Sequence, residues 1–176
     1  MIKLKFFVLL GMILLAATSR LIPHPPNFAP IAALALFGGA HFSDKRLAFF
    51  VPLTAMFLSD VVLGLHPLIP VIYGSFALIV CIGFWFRKRR QWRPIAGAAL
   101  LSSTLFFVLT NFGVWALGSF YPKTIAGLIA CYTAAIPFFQ NTLLGDAVYT
   151  TILFGSFALA EKRFPVLREP IINPTN

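Results

Sequence analysis

Apolar residues run along this chain in long blocks, neither alternating as in half-buried strands nor confined to one stripe as in surface helices. The blocks fall at about 5–19, 29–42, 47–65, 68–86, 94–118, 124–139 and 142–160, divided by short clusters of proline, basic and amide residues. An α-helix needs about 20 apolar residues to cross a hydrocarbon core of about 30 Å, and most of the blocks approach that length. Two depart from it. The second block rises only about 21 Å as a helix, so it is expected to be tilted, extended at its ends or recessed. The block at 124–139 ends near Pro137 and leads straight into Gln140 and Asn141. It reads as a re-entrant or interfacial helix, or as the first half of a hairpin. The pattern predicts an all-α, polytopic transmembrane bundle: one domain over 1–176, with about six spanning helices plus that short extra helix.

Composition excludes a water-soluble reading. Of 176 residues, 59% are hydrophobic and 11% charged, against roughly half and a quarter in soluble domains. Lipid is the expected solvent, and no block of sequence is left over for a domain outside it. The net charge of +9 does not point to nucleic acid, because the 14 basic residues flank the apolar blocks. Their distribution instead sets orientation. Six spans starting from the cytoplasm place Lys3, Lys5, Lys45, Arg46, Arg87, Lys88, Arg89, Arg90, Arg93, Lys162, Arg163 and Arg168 inside, and leave only Arg20 and Lys123 outside. Seven spans would divide the same residues nine to five. The positive-inside rule therefore favours six spans in the cell membrane, with both termini cytoplasmic. Lys3 and Lys5 followed by the first apolar run also fit a secretory signal, and cleavage there would leave five spans.

Two connections carry chemistry of their own. Between the first two blocks, Pro23, Pro25, Pro26 and Pro30 stiffen an outer loop that contains His24 and Asn27, because proline fixes φ and removes a donor. On the other side Arg87, Lys88, Arg89 and Arg90 form a cluster suited to anionic lipid headgroups.

Polar groups within a bilayer are costly, so each is a candidate site. Asp60 lies toward the outer end of the third block, and Asn111 and Trp115 sit one turn apart on the fifth. Asp146 is about 8 Å beyond Asn141, with Tyr149 and Thr150 on its face. With Arg20, Asn27 and Tyr132, these residues are expected at one outer level, where aromatic walls and convergent polar groups would suit a small polar solute. The alternative is structural: Asp60 and Asp146 pair with Arg20 and Lys123, and Asn111 bonds between helices. Metal ligation is not expected from His24 and His66, since nothing at helical spacing completes a set of three or four. Cys81 and Cys131 read as buried hydrophobes. No Gly-x-Ser-x-Gly elbow, zinc-protease motif or phosphate loop occurs, so no cofactor and no catalysis are expected. The nearest enzyme pattern is the intramembrane aspartyl protease signature Gly-x-Gly-Asp, of which only Gly145-Asp146 is present.

The proline-rich first loop, the short Ala/Gly-rich second block and the run Ile136-Pro-Phe-Phe-Gln-Asn-Thr-Leu-Leu-Gly-Asp146 resemble the substrate-binding (S) components of energy-coupling-factor vitamin transporters. In the biotin-type members a Pro-Phe followed by Gly-Asp opens the last helix in a similar way. The chain is also similar to a family of uncharacterised bacterial membrane proteins with Pro-Pro-Asn-Phe early and Thr-Asn-Phe-Gly-Val-Trp late, here Pro25 to Phe28 and Thr110 to Trp115. The first resemblance implies an outward-facing binder of a vitamin-like heterocycle, with Asp146 as a ligand contact, that works with a membrane T subunit and paired ATPases. S components commonly carry an Ala-x-x-x-Ala pair on the first helix to dock the T subunit, whereas this first block offers Gly11-x-x-x-Leu15. A non-catalytic scaffold is the alternative expectation.

Overall fold

The computed structural model describes residues 2–87 and 91–168; Lys88, Arg89 and Arg90 of the expected lipid-binding cluster lie outside the described residues. Among them are six α-helices: α1 (Ile2–Thr18), α2 (Ile31–His41), α3 (Lys45–Leu63), α4 (Ile69–Trp85), α5 (Trp92–Leu117) and α6 (Ile125–Arg163). Single 3-10 turns follow α1 and α6. Four apolar stretches, at Leu4–Leu21, Lys45–Leu63, Trp92–Leu117 and Ile125–Arg163, are long enough to cross a membrane, and α2 and α4 are shorter. Local chemistry starts α3 and α6. The Asp44 carboxylate accepts from the Arg46 amide at 2.7 Å, and the Thr124 hydroxyl accepts from the Gly127 amide at 3.1 Å, both as N-caps.

The bundle is organised around α2. At 11 residues it rises about 16 Å, roughly half the thickness of a bilayer core, and every residue from Ala32 to Ala40 is buried. A helix that is apolar on all sides belongs inside, and α2 packs against the other five helices. Its small residues set those distances. A Cβ on Gly39 would overlap the Val80 carbonyl of α4, and one on Gly83 would come within 2.7 Å of the Leu36 carbonyl. On the α3 side, Gly38 makes room for the ring of Pro52.

A buried helix needs partners for its end groups, and α2 takes them from distant helices. Pro30 offers no side-chain cap. Instead the Ala33 amide donates to Asp146 Oδ1 of α6 at 3.2 Å. At the other end Arg87, just past α4, donates from Nε to the Gly39 carbonyl at 3.0 Å and from Nη1 to the Ser43 carbonyl at 3.1 Å. Its guanidinium lies 4.4 Å from the Phe84 ring centre. A carboxylate at the amino end and a cation at the carboxyl end both complement the helix macrodipole.

The blocks at 124–139 and 142–160 form one helix instead of two. α6 runs 39 residues without a break, about 58 Å, so the expected re-entrant or interfacial piece is the first half of a continuous rod. Pro137 lies inside it and costs one backbone donor without ending the helix, because α5 supports both sides of the proline. Tyr132 Oη donates to the Val108 carbonyl at 2.7 Å, and the Phe107 and Phe139 rings pack tilted with centres 4.4 Å apart. Gln140 and Asn141, which suggest a turn in the sequence, are simply polar positions on this helix.

Candidate functional site

The continuity of α6 changes the depth of its polar residues. Asp146 lies about 31 Å from the Ile125 end and about 25 Å from the Arg163 end, near the middle of the helix. The expected single outer level resolves into three separate neighbourhoods.

At the first, the 3-10 turn after α1 meets α3, which packs on α4. Arg20 Nη2 pairs with Asp60 Oδ1 at 2.7 Å, and its Nη1 donates to Ser59 Oγ. Tyr73 Oη donates to Asp60 Oδ2 at 2.8 Å. Both carboxylate oxygens and both terminal guanidinium nitrogens have partners, so this cluster is closed on itself. It matches the structural reading of Asp60.

The second lies where α5 and α6 are joined. Asn111 Nδ2 donates to the Phe107 carbonyl of its own helix at 2.8 Å, so it does not bond between helices through that amide. Trp115 Nε1 donates to the Pro122 carbonyl at 2.9 Å. Lys123 donates to the carbonyls of Trp115 and Gly118 and lies 5.7 Å from the Trp115 ring centre. In place of the alternative in which Lys123 pairs with an aspartate, Lys123 caps the end of α5. Tyr132 borders an apolar groove of about 350 Å³ with Phe107, Ile129 and Ile136.

The third is built on the middle of α6, where Asn141, Gly145 and Tyr149 fall at every fourth position and share one face. The proline-rich loop lies on that face. Asn141 Nδ2 donates to the Pro26 carbonyl at 3.0 Å, and the rings of Phe28 and Tyr149 approach to 6.0 Å. A Cβ on Gly145 would sit 3.1 Å from the Ala29 nitrogen and 3.2 Å from Phe28 Cα, so the glycine is what lets the loop come down. Asn27 turns the loop at a positive φ of 63°, a conformation asparagine adopts more readily than most residues, and its side chain is exposed.

On the next position of α6, Asp146 points inward and is 2% exposed. Oδ1 holds the Ala33 amide, and Oδ2 accepts from Ser103 Oγ of α5 at 2.7 Å. Beside this carboxylate a cleft of about 300 Å³ opens between α5 and α6. Ser103, Asp146 and Thr150 form its polar floor, and Trp92, Leu100 and Ala147 are among its walls. Thr150 is 4% exposed and its hydroxyl has no partner. Ser103 was not among the residues expected here, although the run Ser102-Ser103-Thr104 within an apolar block was a visible signal.

No hydrogen bond joins Asp60 to Asp146, whose partners lie on different helices, so the two carboxyls do not share a proton as an aspartyl dyad would. Among the described residues no group of three or more His, Cys, Asp or Glu side chains comes together.

Among the described residues the bundle is all-helical, and four of its helices are long and apolar enough to cross a membrane, which fits the class of helical membrane proteins. Residues 1–167 match the model of a family of unknown function (DUF6580), and the chain belongs to that family. No curated protein and no solved structure matches it.

Proposed function

We propose that this protein is a membrane-embedded binding subunit for uptake of a small, vitamin-like heterocyclic solute, similar in role to the S component of an energy-coupling-factor transporter. The observation that carries the reading is the cleft beside Asp146. Its volume of about 300 Å³ stands at the lower end of the range for small-molecule sites, about 300–1,000 Å³. Its walls are apolar and its few polar groups converge at one place, with a buried hydroxyl on Thr150 left for a ligand. In this reading the protein sits in the cell membrane with both termini cytoplasmic, as the distribution of basic residues favours. Energy comes from a partner T subunit and ATPase pair, since the chain has no phosphate loop.

The scaffold reading has its own support: Asp146 and Arg87 cap α2, and Arg20, Asp60 and Tyr73 satisfy one another, all without a ligand. Uptake separates the two. Cells expressing the protein with its natural neighbours should deplete one solute from a defined medium, measured by mass spectrometry, and cells carrying Ala147→Phe, which fills the cleft, should not. Equal depletion by both, or by neither, supports the scaffold.

A further inference from the structure

Threonines within an apolar helix usually satisfy their hydroxyls on the carbonyl four residues back, and α5 and α6 follow that habit. Thr104, Thr110, Thr133, Thr142 and Thr151 each donate to that carbonyl. Thr150 does not. Its hydroxyl is buried without a partner, one turn after Asp146, in the floor of the α5–α6 cleft. An unsatisfied buried hydroxyl carries a desolvation cost, which a ligand group placed between Thr150 and Asp146 would relieve.

The chemistry of the floor restricts that group. Asp146 Oδ2 accepts one hydrogen bond, from Ser103, and a carboxylate oxygen has room for more. Among the described residues no basic side chain lines the cleft, so a second carboxylate or a phosphate would meet Asp146 at close range in a low-dielectric setting without compensation from them. The walls offer only apolar contact and the indole of Trp92. Leu100, Ala147 and Thr151 are exposed on the outside of the helix pair, so the cleft mouth faces sideways from the bundle.

We propose that this cleft takes a compact ligand with a flat apolar body and a hydrogen-bond donor headgroup, an amine or a hydroxyl, which reaches Asp146 and Thr150 from the side of the α5–α6 pair. This deepens the uptake reading by naming the ligand chemistry of its site, and it excludes anionic solutes.

Three probes that share one indole body and differ in headgroup test it: tryptamine, indole-3-ethanol and indole-3-propionate. Binding to the full chain in nanodiscs is read by saturation-transfer NMR or by equilibrium dialysis against empty nanodiscs. Tryptamine and indole-3-ethanol should bind more tightly than indole-3-propionate by about tenfold or more, and Thr150→Val should weaken them by a similar factor. Thr150→Ser, which restores the hydroxyl, should keep most of the affinity. Equal or tighter binding of the propionate, unchanged affinity in Thr150→Val, or no saturable binding by any probe overturns the proposal. Saturable binding in a protein that moves no solute leaves the cleft chemistry standing and removes uptake. Uptake of a solute with no binding in the cleft does the reverse.

Discussion

Two carboxylates buried in one bundle have been handled in opposite ways. Asp60 lies at the meeting of three helices with a guanidinium on one oxygen and a phenol on the other, and Ser59 and Met56 occupy the rest of Arg20. Asp146 has no cation among its hydrogen-bond partners. Its two oxygens hold one backbone amide and one serine hydroxyl, and beside them is open space and an unpartnered threonine. A closed ion pair ties helices together and leaves nothing to bind. A carboxylate held by neutral donors at the edge of a cleft has capacity to spare. The same residue type in the same apolar sequence is structural in one place and a candidate ligand contact in the other, and what separates them is the set of partners.

Removing the cation from the closed cluster should have the largest effect. Arg20→Met leaves Asp60 buried and uncompensated and should lower unfolding stability by about 3–5 kcal/mol, read by thermal or chemical unfolding in detergent. Replacing both partners, as Arg20→Met with Asp60→Leu, should recover much of that loss. A smaller effect is expected where the loop meets α6. Gly145→Ala pushes its new methyl against the Phe28 and Ala29 backbone, for a loss of about 1–3 kcal/mol, and faster proteolysis of the loop around Pro26 should accompany it.

Next in size is Tyr73→Phe, which removes one interhelical hydrogen bond to Asp60 and should cost about 0.6–1.7 kcal/mol. Last, and opposite in sign, is Thr150→Val. Since its hydroxyl is buried without a partner in the folded chain, removing it should raise stability by about 1 kcal/mol. A large loss there would mean that Thr150 has a structural partner and would erase the contrast between the two sites.

Much of the fold was legible because the bilayer demands uniform apolar blocks. The expected 47–65 and 94–118 correspond to Lys45–Leu63 and Trp92–Leu117, and the second block, expected to be tilted, extended or recessed, contains the short buried α2. The break expected near Pro137 was misplaced for a local reason. Proline and an amide pair usually announce a turn in water, but along α6 the neighbouring α5 holds the helix through both. That single error placed Asp146 near the rim instead of at mid-helix.

The candidate site was harder to read, since its key contacts cross more than a hundred residues of chain. Nothing local to Asp146 shows that it caps a helix beginning at Ile31, and nothing near Arg87 distinguishes it from the basic cluster that follows it. Both partnerships follow only once α2 is known to be buried at each end, where its orphan amides and carbonyls require charged partners. The pairing of Arg20 with Asp60 was more accessible, because Arg20 is an isolated charge at the end of one apolar block and Asp60 is an isolated charge within another.

The central contrast is most directly tested by native mass spectrometry of the protein extracted from its host membrane, comparing wild type, Tyr73→Phe and Ala147→Phe. A small molecule should accompany wild type and Tyr73→Phe, whose change lies in the closed cluster, and should be missing from Ala147→Phe, whose fold is otherwise intact. Absence of any small molecule from wild type, or its undiminished presence in Ala147→Phe, would contradict a ligand site beside Asp146.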